Sequence, residues 1–307
     1  MKSKLVLLVV FLICSQCRIL RVDPEVETLL QSLLQNCQFK IESSLLVRNS
    51  CKNQSEQKFR SYIQKKGIAH ILPTVAILFN SQEKKVSSIA TYVLHRYVKD
   101  ELHSLKEQPS RVERSVVEAL LEGLKKNQNT FVIYSVPAIT RLSTIYDLQD
   151  TLLSILKSHP NIEVTVEGYR NLMVYGRLKA FTSLQKLANT ANLRVQKAVL
   201  LAPRNMKNYS TEEKQAVCSW LVQHLAKKEL DVAAEAAKTI ARKCKGIYLD
   251  KLLDRAEELA IVGDLRPPFS FALTNFSFTC KGFLGKQAVG TKQQCDRKEK
   301  LKRKIKE

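Results

Sequence analysis

The chain has 307 residues, 45% of them hydrophobic, and only nine glycines and eight prolines, which leaves little for the tight turns of an all-β fold. That length buries a substantial core, and one or two globular domains are the ordinary expectation. Fifty basic residues against 29 acidic ones give a formal charge of +21 and a pI near 9.7, so anionic partners are favoured over cationic ones.

The first residues have the three parts of a secretory signal. Lys2 and Lys4 make a positive start, Leu5 to Ile13 form an uncharged apolar run, and Cys14 to Cys17 are small or polar. The run is far shorter than the roughly 20 residues that span a bilayer. Residues 1–17 are therefore expected to be a cleaved signal peptide, which makes the protein exported, secreted or periplasmic. The alternative is a membrane anchor through an uncleaved signal or a lipidated Cys14 or Cys17.

Removing residues 1–17 leaves Cys37, Cys51, Cys218, Cys244, Cys280 and Cys295, an even set that suits a disulfide framework. Neighbours in sequence are 37 with 51, 218 with 244, and 280 with 295, although six cysteines allow 15 connectivities. A tight turn near Lys228 would place Lys238 opposite Cys218 and leave Cys244 about 9 Å further along. Since bridged Cα atoms lie within about 7 Å, that pair needs the second helix to unwind or start late. No C-x-x-C or close Cys/His cluster suggests zinc. Asn53, Asn208 and Asn275 begin glycosylation triplets, which matter only in a eukaryotic secretory pathway.

The N-terminal helices of residues 18–66 are expected at Pro24 to Leu34, Phe39 to Val47 and Gln54 to Lys65, with Gly67 as the stop. From Ile71 a two-helix pattern begins. An apolar helix carries Pro73 in its first turn, Ser81 to Lys85 form a polar break, and Val86, Ala90 and Leu94 share one stripe of the next helix. That helix continues through the charged stretch Arg96–Lys106 to Pro109. Further pairs follow at Val112–Leu124 with Thr130–Leu142, where Pro137 should kink the helix, and at Leu148–Leu156 with Val164–Tyr175. Two more are Ala180–Leu187 with Leu193–Ala202, and Thr211–Leu225 with Asp231–Arg242, where Val232, Ala236 and Ile240 repeat the stripe. Tyr248–Val262 ends the series.

Small residues at Ala90, Gly168, Ala198 and Ala236 suit stacked helix pairs, whose backbones must come close. This recurring unit resembles the HEAT repeat of the armadillo/HEAT superfamily over residues Ile71 to Val262. Anchor spacings of about 30 to 48 residues compare with about 40 to 47 in regular units. The usual turn aspartate and following arginine are missing from the first unit, but Arg194 and Asp231 keep one each. The resemblance implies an all-α fold, an α-α superhelix of irregular HEAT-like helix pairs over 67–265 with a short non-helical C-terminal segment. It also implies that the surface binds a partner and performs no chemistry.

From Arg266 the chain is aromatic and broken by Pro267 and Pro268. Residues 266–307 are expected to be a capping segment followed by a basic, partly disordered tail. The tail holds the polyanion-binding candidates Lys298, Lys300, Lys302, Arg303, Lys304 and Lys306, which attract anions in a salt-dependent way. No aromatic residues are interleaved with them, so no sequence-specific nucleic-acid reading is expected. Lys84, Lys85, Lys125, Lys126, Lys227 and Lys228 fall at helix ends or turns, where one basic rim would arise.

No H-E-x-x-H, G-x-S-x-G, Walker or dinucleotide motif is present. His70, His95, His103, His159 and His224 are scattered, and Cys218 near His224 suits a disulfide better than a nucleophile. No catalytic, metal or cofactor residues are expected. The expected function is a non-enzymatic interaction or scaffold protein that holds an acidic macromolecule, either a protein partner or an extracellular polyanion. The alternatives are a secreted carrier of an apolar ligand such as a lipid, or an unrecognised hydrolase.

Overall fold

The computed structural model describes residues 20–41, 47–51, 54–127, 130–174, 178–189, 192–206, 209–261, 280 and 290–306. The expected signal peptide of residues 1–17, the capping stretch of residues 266–279 and the three asparagine acceptors all lie outside the described residues. Among the described residues the fold is all-α apart from one antiparallel pair of strands, and the chain divides into two compact units, residues 1–127 and 128–307.

Unit one holds α1 (Pro24–Asn36), the strands β1 (Cys37–Ile41) and β2 (Val47–Cys51), α2 (Ser55–Lys66), α3 (Ile68–Phe79), α4 (Lys84–Val93), α5 (Lys99–Glu107) and α6 (Arg114–Lys126). At its centre stands α3, apolar on nearly every side, as a fully surrounded helix must be. Its Ile71, Leu72, Val75 and Ala76 are completely buried, and it packs against α1, α2, α4 and α6. Asn80, at the C-cap of α3, donates from Nδ2 to the Ala119 carbonyl of α6 at 2.9 Å, while Gly123 of α6 leaves room for Phe79. The amino end of α1 is fastened to α3 by Asp23. Its carboxylate accepts from the Glu25 and Val26 amides and meets His70 Nε2 at 2.9 Å, while its own amide donates to Thr74 Oγ1.

Three local expectations need correction. The described ends of the helix expected at Phe39 to Val47 are strand: Cys37–Ile41 and Val47–Cys51 pair antiparallel, with the Cα atoms of Cys37 and Cys51 directly opposite. A short apolar run satisfies either period, and here the cross-strand ladder wins. Pro73 lies inside α3 and not in its first turn. Gly67, at φ +83°, ends α2 and lets the chain turn straight into a helix that starts at Ile68. The carbonyl of Ala69 therefore lacks the donor that a non-proline residue would supply. Pro137 kinks nothing: it stands in the first turn of the next helix, after a 3-10 segment at Thr130–Tyr134. The expected long helix after Val86 is present as α4 and α5, joined by a π-turn at Leu94–Val98.

Unit two continues with α7 (Val136–Ile145), α8 (Gln149–Ser158), α9 (Ile162–Val174), α10 (Leu178–Leu187), α11 (Leu193–Leu201), α12 (Thr211–Gln223), α13 (Leu230–Lys243), α14 (Ile247–Ile261) and α15 (Lys292–Lys306). Helices α7, α9, α11 and α13 pack in succession and make one layer. Facing it, α8 lies on α9, and α10 meets α12 through an edge-on Phe181–Trp220 contact at 5.3 Å. Within the layer, Glu163 at the start of α9 pairs with Arg194 at the start of α11 at 2.7 Å, and Lys197, midway along α11, pairs with Asp231 at the start of α13 at 3.2 Å.

Two hydrogen bonds from side chains to backbone tie helices 39 residues apart in sequence: Asn80 to Ala119 in unit one, and Thr239 Oγ1 to the Leu200 carbonyl in unit two. Cys218 and Cys244 are bridged, with Cα atoms 5.8 Å apart. No tight turn joins their helices. Residues 224–229 separate α12 from α13, so α13 starts late, and Cys244 leaves its helix with extended backbone. Closing that loop contributes about 3 kcal/mol.

Asp23→Ala is expected to lower the stability of unit one by about 0.5–2 kcal/mol in urea unfolding, because two amides lose their acceptor. The backbone donors of Val26 and Glu25, with His70, hold the Asp23 carboxyl below its usual value. Its contribution is therefore present above the unfolded carboxyl pKa of about 3.9 and fades as pH falls through the lower folded value. Gly168→Ala drives a methyl group into the fully buried Leu156 of α8 and is expected to cost about 1–3 kcal/mol in the same assay.

Candidate functional site

The expected basic tail is an ordered helix over its described part, and the reason lies in three anchors. Thr291 and Gln294 form a reciprocal cap: the Gln294 amide donates to Thr291 Oγ1 at 3.3 Å, and the Thr291 amide donates to Gln294 Oε1 at 2.9 Å. Gln294 Nε2 also donates to the Gly246 carbonyl and to Asp250 Oδ1, at 3.1 and 3.0 Å. One turn on, the Arg297 guanidinium reaches three carboxylates of α14. It lies 2.8 Å from Asp254, 2.8 Å from Glu257 and 3.6 Å from Asp250. Hydrogen bonding to Glu257, then to Asp254, raises the Arg297 pKa further above its usual value. The third anchor is covalent, a disulfide from Cys295 to Cys280 with Cα atoms 5.7 Å apart.

This docking sorts the six polyanion candidates. Gln294, Lys298 and Leu301 form the buried stripe, so Lys298 is covered, and burial followed by the neighbouring Lys302 pushes its pKa down. Lys302 is half-buried and pairs with Glu299 at 3.0 Å, which holds that carboxyl below its usual value. Lys300, Arg303 and Lys304 remain exposed on the opposite face at helical spacing, and the side chain of Lys306 lies outside the described residues. The T-x-x-Q pattern at 291–294 was the sequence signal for this helix, and the sequence reading missed it.

The cysteine candidates sort as cleanly. Cys218–Cys244 and Cys280–Cys295 are bridged, Cys37 is disulfide-bonded, and Cys51 is the cross-strand neighbour of Cys37. With Cys218 in a disulfide, it offers no thiolate to His224. That histidine is buried on Trp220 and donates from Nδ1 to the Trp220 carbonyl at 3.0 Å, and burial pushes its pKa down. His70 belongs to the Asp23 clamp, and His159 Nδ1 accepts the Asn161 amide. Among the described residues, no group of three His, Cys, Asp or Glu side chains is placed to hold a metal ion. A groove of about 680 Å³ beside α1 and α2 is lined by Glu25, Thr28, Gln57, Lys58, Ser61 and Tyr62, among others.

No family model and no curated protein matches this chain. Among solved structures it is similar to an engineered protein known from a crystal structure, at 17% identity and a TM-score of 0.41, over 76% of this chain and 96% of that one.

Arg297→Ala is expected to release α15, because no other described side chain reaches all three α14 carboxylates. Limited trypsin digestion should then cut after Lys298 and Lys300 several-fold faster than in the wild type. Reduction of Cys280–Cys295 should add to that effect.

Proposed function

We propose that the protein is a non-enzymatic interaction module, an exported α-solenoid of HEAT-like helix pairs that holds an acidic protein partner. The observation that carries this reading is the fixed presentation of Lys300, Arg303 and Lys304 on α15. A tail that served solubility alone would need neither a disulfide, nor a reciprocal cap, nor an arginine shared by three carboxylates. Fixing three cations on one helical face lowers the ordering cost when an acidic surface docks there.

Export is supported by the two disulfides, which persist in oxidising compartments. No described helix is long and apolar enough to cross a membrane. The repeat reading is supported by the layered order of unit two and by the two ties 39 residues apart.

Poly-glutamate stands in for the partner in a fluorescence anisotropy titration. Wild-type affinity is expected to fall steeply with added salt, as displaced counterions require. The triple variant Lys300→Glu, Arg303→Glu and Lys304→Glu should bind about tenfold more weakly or worse at low salt, with unchanged far-UV circular dichroism. Equal binding by a folded triple variant removes α15 as the interface.

A further inference from the structure

The carboxyl end of α12 closes over a titratable side chain. His224, the C-cap of that helix, is 4% exposed. Its Nδ1 donates to the Trp220 carbonyl at 3.0 Å, which fixes the proton on that nitrogen and leaves Nε2 with a bare lone pair. Nε2 is sealed from solvent, and no described group bonds it. Trp220 stands edge-on to the imidazole at 5.0 Å and edge-on to Phe181 of α10 at 5.3 Å. One residue further, the Leu225 carbonyl accepts from Arg255 Nε of α14 at 3.1 Å. The ring therefore sits among the very contacts that fasten this end of α12 to α10 and α14.

A neutral imidazole loses only one acceptor's bond here. A proton would place a donor and a full charge on Nε2 in the same sealed position, at a much greater cost. The described elements around α12 have no carboxylate to spare for it. Helix α10 carries none. On α13, Asp231 and Glu235 are held by Lys197 and Lys238. On α14, Arg297 takes Asp250, Asp254 and Glu257, and Arg255 takes Glu258. Glu212 and Glu213 of α12 itself lie in its first turn, about 16 Å back along the helix, and Glu229 of the connection faces water. The cations are better placed: Lys227 follows in the connection, Arg255 comes from α14, and Arg242 and Lys243 end α13. Burial pushes the His224 pKa down, the bond to the Trp220 carbonyl opposes this, and Lys227 adds to it.

We infer that His224 is an acid-sensitive latch: when it takes up a proton the ring leaves for water, and the last turn of α12 comes away from α10 and α14. The Cys218–Cys244 disulfide keeps the loosened helix tethered to the end of α13. The sign follows from linkage. Above about pH 6.5 an exposed histidine is neutral too, and the latch holds at full strength. As pH falls from there towards the lower folded value, the open form binds a proton that the closed form refuses, so opening gains up to about tenfold per pH unit. None of the α15 residues takes part, and the latch stands whether or not α15 is an interface.

Amide hydrogen exchange on the full, disulfide-bonded chain reads the latch directly, once corrected for the intrinsic effect of pH on exchange. From about pH 7.5 to about pH 5.5, the opening constants of the amides from Trp220 to Leu225 should rise about tenfold. Those of α6, which carries no histidine, should stay level. His224→Phe keeps a ring on Trp220 and cannot titrate, so its α12 amides should lose the response. Should that variant fail to fold by circular dichroism, His224→Gln takes its place, since its amide can still donate to the Trp220 carbonyl. The wild-type pattern is decisive even without a variant. No rise at the end of α12, or an equal rise in α6, overturns the latch, and so does an undiminished response in a folded variant.

Discussion

Close approach of successive helix backbones is the constraint on which the rest of this molecule depends. In unit two it is met by α13, whose Ala233, Ala234, Ala236, Ala237 and Ala241 are wholly buried. Side chains of that size let the α11 backbone come near enough for Thr239 to reach the Leu200 carbonyl at 2.8 Å. Gly168 does the same for Leu156 between α8 and α9, and Gly123 for Phe79 between α3 and α6. In each case a larger residue would force a fully packed neighbour aside, which dense interiors resist. The spacing of helices, and therefore the positions of all surface charges, follows from these few small residues.

The helices of both units were legible because their apolar positions recur at helical spacing over long segments. Val86, Ala90 and Leu94 are buried, as are Val232, Ala236 and Ile240. What stayed hidden had a local cause each time. The strand pair at 37–51 lies in a run too short for its period to discriminate strand from helix. Pro137 was taken for an interruption because the 3-10 segment before it carries similar apolar residues. The α15 helix escaped notice because two of its three buried anchors, Gln294 and Lys298, are polar. For the same reason Lys298 was counted with the exposed bases.

Charge in this protein is used in two distinct ways. Arginine clamps carboxylates where elements must be held: Arg297 gathers three from α14, and Arg194 reaches Glu163 of the preceding layer helix. Lysine more often stays at the surface, as Lys300 and Lys304 do on the outer face of α15. The difference follows from the geometry of the two groups, since a fork serves several acceptors at once and an ammonium does not. The excess of positive charge therefore cannot be treated as one uniform cloud.

The 39-residue interval between Leu200 and Thr239 also bears on how the chain is made. On a ribosome, the Leu200 carbonyl waits for two more helices to emerge before its buried donor exists. Most other contacts of unit two join a helix to the next or the next but one, so each newly completed pair docks on the pair before it. Ring closures of this size are inexpensive in entropy, and assembly can proceed from the amino end as synthesis advances. The α14 surface meets its partner helix only when residues 292–306 arrive, so among the described elements this layer is the last to be completed.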